Sequence, residues 1–364
     1  MQINLLLRVV GFLSEIRVGL VGVGNCASAL VQGVEYYRNV DDEANCIGLR
    51  HLYVGGYHPR DIKFVCAFDI ASGKVGRDLS EAIFAEPNNT LKFADVPRLG
   101  VEVLKGPVLD GIGNYTKRTI KVDPSMEVDV AESLRKSGAE VLVNLLPSGA
   151  QRASQYYAEE SLKAGCAFIN ATPTIIASDK DWIRRYVESK LPIVGDDLTD
   201  QVGATFLHKV LLETLNRRGV RIFRTYQLDV GGGTESAETL ERSGEIKRKI
   251  KTESVTSVLP YKASVVAGST DYVEFLKNSR DSYFWIEGTY FGGAPLQMDI
   301  RLSTIDAPNA GSILLDVIRG VKIALDRGDA GHILPISAYA FKHPLKIIPL
   351  LEADEGFEEY IMGG

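Results

Sequence analysis

Apolar runs of strand length recur through the first half of the chain, and each ends in polar or glycine residues. Ile16–Val21 is the first, closing on Gly22-Val23-Gly24, and beyond it the period changes. Ala27, Leu30, Val31 and Val34 fall on one helix face, so strand, glycine turn and helix follow without a break. Further runs at Ile62–Asp69, Ala139–Leu146, Ala167–Asn170 and Pro192–Gly195 show little polar alternation. Strands buried on both faces of a parallel sheet read this way, and their alternation with helical stretches predicts an open, doubly wound α/β sheet. The C-terminal ends of these runs gather Asp69, Pro147-Ser148-Gly149, Ala171-Thr172-Pro173-Thr174 and Asp196-Asp197. Such a sheet binds ligands there. Between the first helix and the second strand, Tyr36–Asp61 is weakly periodic and rich in Gly, Asp and Asn, an excursion longer than a connection needs.

From about Phe206 the pattern becomes that of a second unit. A helix over Thr205–Arg218 leads to β-branched and aromatic runs at Arg221–Val230, Tyr283–Phe291 and Leu296–Thr304, the last two parted by Gly292-Gly293. These predict antiparallel strands. Asn309–Arg327 returns to a helical stripe containing Ile313, Leu314, Val317, Ile318 and Val321. No repeat or Pro-rich linker separates the two textures, so the second reads as an insertion. The expected fold class is α/β: a Rossmann-like unit over 1–205 and 328–364, interrupted by an α+β unit over 206–327 with a mainly antiparallel sheet. Met1–Glu15 reads as a short N-terminal extension, because Arg8 breaks its apolar run and no cleavage pattern follows.

Composition narrows the function classes. A chain of 364 residues can bury the cores of two units. A net charge of −6 argues against a grip on nucleic acid by bulk electrostatics, and no run approaches the ~20 apolar residues that cross a bilayer. Neither nucleic acid nor membrane is an expected partner. Four scattered cysteines, Cys26, Cys46, Cys66 and Cys166, form no CxxC pair, which suits a reducing cytoplasm.

Gly22-x-Gly24-x-x-Ala27 matches the dinucleotide fingerprint. The first glycine permits the tight turn, the second lets backbone approach a pyrophosphate, and Ala27 allows close helix packing. The helix opened by Asn25 and Cys26 then offers its amides and dipole to the phosphates. An NAD cofactor is therefore expected, with Asp69 taking the adenosine ribose hydroxyls. That acid lies well beyond the usual ~20 residues, a displacement that the excursion accounts for. Asp78 is the rival, with a solvated helix acid as its other reading. In the second unit, Lys247 and Lys251 share one helix face at i, i+4. A charge run of this kind is ordinarily a solvated face. The preceding Asp229-Val230-Gly231-Gly232-Gly233-Thr234-Glu235, a strand end and glycine loop, points instead to a site.

Several segments taken in order resemble a known family: VGVGNCASALVQGVEYY, Gly106–Gly113, Val194-Gly195-Asp196-Asp197, Ser257, Asp306–Gly311 and Ser337–Lys342. Together they resemble myo-inositol-1-phosphate synthase of the shorter prokaryotic type, over nearly the whole chain from Ile16. The resemblance implies a homotetramer built through the second unit's sheet. It also implies conversion of D-glucose 6-phosphate to 1D-myo-inositol 3-phosphate without net redox change, by C5 oxidation with NAD, enolisation, intramolecular aldol closure and re-reduction. By the same resemblance Lys247, Lys251 and Lys342 are catalytic, together with Asp306 and Arg280. Cofactor contacts are implied for Gly22, Gly24, Asn25, Cys26, Asp69, Ser148, Thr172, Asp197, Asp200, Glu235, Lys247 and Asp306.

The chain departs from the family pattern at three places. The family's Asn-x-Gly-Gly-Asn-x-Asp loop is here Asp229 to Glu235, which loses an amide and lengthens an acid. Arg280 stands where a further active-site lysine is common, and arginine holds oxyanions well but shuttles protons poorly. Asp200 stands where serine is frequent. A sugar-phosphate dehydrogenase, a paralogue for another sugar phosphate and a non-catalytic NAD-binding protein therefore remain as alternative readings. Metal ligands are not assigned: His51, His58, His208, His332 and His343 form no ligand spacing, and a divalent cation at Asp306 or the substrate phosphate stays open.

Overall fold

The computed structural model describes residues 15–363, so the N-terminal extension, apart from Glu15, lies outside the described residues. Strands β1 (Ile16–Val21), β2 (Ile62–Asp69), β3 (Val103–Lys105), β4 (Val141–Asn144), β5 (Ala167–Asn170) and β6 (Pro192–Val194) alternate with helices α1 (Asn25–Tyr36), α2 (Leu79–Ala82), α3 (Val130–Ser137), α4 (Gln151–Ala164) and α5 (Lys180–Glu188). After α6 (Ala204–Arg217) come β7 (Arg221–Gly231), α7 (Thr234–Glu238), α8 (Gly244–Thr256), β8 (Ser264–Tyr272), β9 (Ser279–Thr289) and β10 (Pro295–Ile305). The chain closes with α9 (Asp306–Arg327), β11 (Gly331–His332), α10 (Leu334–Ala340) and α11 (Leu350–Met362).

The first sheet has the order β11-β6-β5-β4-β1-β2-β3, and every pairing is parallel. One face packs on α1, α9, α10 and α11 through Leu30, Val34, Leu314, Ile318, Ile336 and Phe357. The other packs on α3, α4 and α5 through Leu134, Tyr157 and Tyr186. The second sheet has the order β10-β9-β7-β8. Its β7–β9 and β9–β10 pairs are antiparallel while β7–β8 is parallel. Helices α6 and α8 cover its inner face through Leu212, Ile222, Val255 and Ile286.

Three differences from the sequence reading have physical causes. Strand β8 escaped notice because its burial is broken by polar Ser264, Ser269, Thr270 and Asp271. Helix α9 starts at Asp306, three residues before the expected Asn309, since Pro308 sits in the first turn where a missing N–H costs no helical bond. That helix also packs in the first unit's core, against α1, where Gly311 brings a hypothetical Cβ within 3.1 Å of Ala29. By packing it belongs with the Rossmann-like sheet, although the sequence placed residues 306–327 in the second unit. The Tyr36–Asp61 excursion is tied down from the same helix. Fully buried Arg319 donates to the carbonyls of Leu52 at 2.8 Å and His51 at 3.0 Å, and to Asp316 at 2.6 Å.

Candidate active site

Strand order reverses at β1 and β4, and a crevice opens beyond the carboxyl ends of strands at such a point. Here the second unit supplies its far wall, with Asp229 from β7, Glu235 from α7, Lys247 and Lys251 from α8 and Arg280 from β9. Asp306, at the start of α9, and Lys342, just after α10, complete it. Each site residue read from the sequence, from Gly22 to Lys342, borders this one cleft.

The Rossmann-like wall suits a dinucleotide. Gly22 has φ +85°, and a Cβ there would stand 2.9 Å from the Leu145 carbonyl oxygen, whereas one on Gly24 would meet nothing within 4 Å. Backbone is thus exposed at the second glycine. No side chain caps α1, and Asn25 and Cys26 at its start border the cleft, leaving a helix N-terminus directed at an anion site. Asp69 accepts from the amides of Val23 at 2.8 Å, Ile70 at 2.7 Å and Ala71 at 2.9 Å. Those bonds fix the carboxylate against the glycine turn. Asp78 instead caps α2 through the Ser80 amide at 3.0 Å and receives the Leu99 and Gly100 amides, so the rival ribose acid is a structural cap. The Cys26 thiol is pushed up to about 12 by burial and then by Asp200, Asp306 and Glu235, which makes it an inert helix-start residue.

On the opposite wall each cation meets a carboxylate. Lys247 pairs with Glu235, which also accepts from Ser148 at 3.0 Å and Thr239 at 2.9 Å. Ser148 is therefore a bridge between the units as well as a cleft residue. Arg280 donates to Asp306 at 3.0 and 2.7 Å and reaches Glu235 at 3.4 Å. Lys251 donates to Asp229 at 2.6 Å. Lys342 donates to Asp197 at 3.2 Å and to the Leu198 carbonyl. Asp197 holds φ +59°, an unusual conformation for a non-glycine residue, and its Oδ2 is buried without a hydrogen-bond partner. Thr172 receives the Asp197 amide on its carbonyl at 2.9 Å.

These pairs shape the protonation states. Burial alone would raise Glu235, but Lys247 and Arg280 override it and hold the carboxyl well below its usual range. Its side chain keeps 42% exposure because it borders open cleft. Lys247 is raised, with Glu235 and Asp197 outweighing burial. Asp306 goes the other way, to about 6: burial and the charges of Asp200 and Glu235 exceed the pull of Arg280. Among the described residues no three His, Cys, Asp or Glu side chains gather as a metal cage.

Curated relatives match at this length. An inositol-3-phosphate synthase of Corynebacterium glutamicum is 44% identical over 96% of this chain and 99% of its own. One of Mycobacterium tuberculosis is 46% identical over 96% of each. The chain belongs to the inositol-3-phosphate synthase family. It is an enzyme of that family, and the myo-inositol-1-phosphate synthase family profile matches residues 203–307, the segment carrying Asp229 to Asp306. The fold is shared with the solved inositol-3-phosphate synthase of Caenorhabditis elegans, at a TM-score of 0.75 and 14% identity over 96% of this chain and 85% of that one. No helix among the described residues is long and apolar enough to cross a membrane.

One cation of the cleft escaped the sequence reading. Lys74, nearly fully buried, donates to the Val23 carbonyl at 2.8 Å and to Asn88 at 2.9 Å, and stands 3.9 Å from Asp69. Asp229 was read as the start of the glycine loop but given no role of its own. Their partners come from distant segments.

Proposed function

We propose that the cleft holds NAD beside D-glucose 6-phosphate and closes the sugar to 1D-myo-inositol 3-phosphate. The observation that supports it is the convergence of Lys247, Lys251, Arg280 and Lys342 with the glycine turn in one cleft. Phosphate, enolate and new alkoxide are all anions, and preset cations stabilise them most where charge develops. NAD, when bound, would supply a reversible hydride acceptor for the sugar's C5 carbon. The protein's own residues bind and hold charge around that chemistry. Gly22, Gly24 and the start of α1 take the pyrophosphate, and Asp69 the adenosine ribose. Thr172, Asp197 and Asp200 border the remainder of the cofactor. Lys247, kept protonated by Glu235, would hold the C5 oxygen by a hydrogen bond once it is a carbonyl, and the proton that the C5 hydroxyl gives up on oxidation would pass to the Asp306 carboxylate and return on re-reduction. Lys251 and Lys342 face the oxygens that gain charge on enolisation and aldol closure. Arg280, forked onto Asp306, holds an oxyanion. Asp306, its pKa raised to about 6, is mostly ionised at neutral pH yet basic enough to accept a proton there and give it back.

The second sheet's outer face fits a homotetramer. Tyr226, Leu228, Val266 and Tyr283 lie there with 36–40% exposure, and Tyr226 stacks on Trp285 at 5.7 Å. An aromatic patch of this kind marks an interaction surface.

Incubation with glucose 6-phosphate and substoichiometric NAD⁺ tests the reading. Phosphorylated inositol should appear without NADH absorbance accumulating. NADH matching the sugar consumed would make the protein a dehydrogenase, and NAD binding with no product would make it non-catalytic.

A further inference from the structure

A buried polar chain runs from Lys251 into the interior of the second unit. Lys251 and Asp229 are 3% and 2% exposed in their side chains. Two residues back on β7, and so on the same face, Gln227 places its Nε2 at 3.0 and 2.9 Å from the two Asp229 oxygens. Gln227 Oε1 lies 3.3 Å from His208 Nδ1, and His208 Nε2 lies 2.7 Å from the Thr225 hydroxyl. Gln227 and His208 are both fully buried.

The carboxylate fixes the amide beside it. An ionised carboxylate only accepts, so Gln227 must turn its NH₂ to Asp229 and its oxygen toward His208. Burial holds that imidazole neutral, its pKa lowered to about 4, and the Thr225 hydroxyl beside its Nε2 donates to the Trp285 carbonyl at 2.7 Å. Asp229 Oδ2, already held by Gln227, also receives the Lys251 ammonium at 2.6 Å.

Lys251 needs such a partner. Burial, with Arg280 on β9, Lys247 one turn earlier on α8 and Lys342 after α10, favours the neutral amine and holds Lys251 below the usual lysine range, and Asp229 is the group that opposes them. We propose that Asp229, oriented by Gln227, is a positioning residue that keeps Lys251 an ammonium ion directed into the cleft. Lys251 then acts as a fixed cation toward the oxyanions of ring closure and not as a base. The catalytic part of this inference rests on the cyclase reading; the charge state does not.

Asp229→Asn removes the charge and keeps the shape. In ¹⁵N-lysine-labelled protein, the Lys251 Nζ resonance, assigned by its loss in Lys251→Arg, should titrate at least about one pH unit lower in Asp229→Asn. The alkaline limb of the kcat profile should move down equally, so that turnover above it falls about tenfold, with KM and NAD⁺ affinity little changed. Asp229→Glu should restore the titration. An unmoved Lys251 titration, or a kcat loss of equal size at every pH, overturns the proposal. Failure of the unmutated enzyme to cyclise glucose 6-phosphate would sink the cyclase reading alone, because the lysine titration needs no substrate.

Discussion

Arg280 is the residue whose chemistry departs furthest from a proton shuttle. Its guanidinium spans Asp306 and Glu235, a fork that an ammonium cannot reproduce. Arg280→Lys is expected to lower kcat/KM by about thirtyfold, ~2 kcal/mol, while the fold survives. Steady-state kinetics that match the unmutated enzyme would remove Arg280 from the mechanism. Asp306 gives a pH prediction. Its folded pKa, about 6, lies above the ordinary aspartate value of 3.8, so the native state binds the extra proton and this residue's contribution to stability is lost as pH rises from about 4 to 6. Asp306→Asn should therefore gain Tm relative to the unmutated protein between pH 4 and pH 8. A Tm difference constant across that range argues against the raised pKa. At this scale Lys247 and Lys251 were legible, because helical spacing after a glycine loop is a local signal. Asp229 was legible only as the start of that loop, without its partner, and Lys74 was not legible at all. Lys251 and Asp229 are 22 residues apart and Lys74 and Val23 are 51 apart, and one sequence carries no trace of such pairings.

Among the elements, α9 does the most to join fold to site. It begins with Asp306 in the cleft and crosses α1 where Gly311 leaves no room for a side chain. Gly311→Val should destabilise the fold by about 2 kcal/mol through overpacking, read as a lower urea midpoint. A neutral result would mean the helices can part without cost. The last helix, α11, is fastened by Arg50 to Asp354 at 2.9 Å and by His51 to Glu358 at 2.7 Å. Burial would lower His51, yet Asp316 and Glu358 raise it above the ordinary histidine value of 6.5. A raised histidine stabilises fully below about pH 6.5 and loses that contribution as pH climbs through its folded pKa. Protease cleavage between α10 and α11 should accelerate as pH rises past that point, and His51→Gln should flatten the dependence. The buried strands and α1 were readable because continuous apolar runs and helical spacing survive burial. Strand β8 and the start of α9 were hidden by polar residues and a proline that tertiary context tolerates.

For the whole molecule, the open question is what covers the second sheet. Trp285→Asp places a charge among Tyr226, Tyr283 and Val266, and light scattering should then find monomers that retain their circular dichroism. A tetramer that persists would put the interface elsewhere. Composition and charge spoke to the class of molecule but not to its assembly, since an aromatic face on paired strands shows only after β7, β8 and β9 are aligned.

The continuous run from β10 into α9 has a bearing on engineering. The same peptide ends the second sheet, delivers Asp306 and then becomes a spine of the Rossmann-like core, so the two units are not interchangeable cassettes. Transplanting the inserted unit onto a different nucleotide-binding frame would sever that spine, and a chimera would have to import the helix as well to recover the acid.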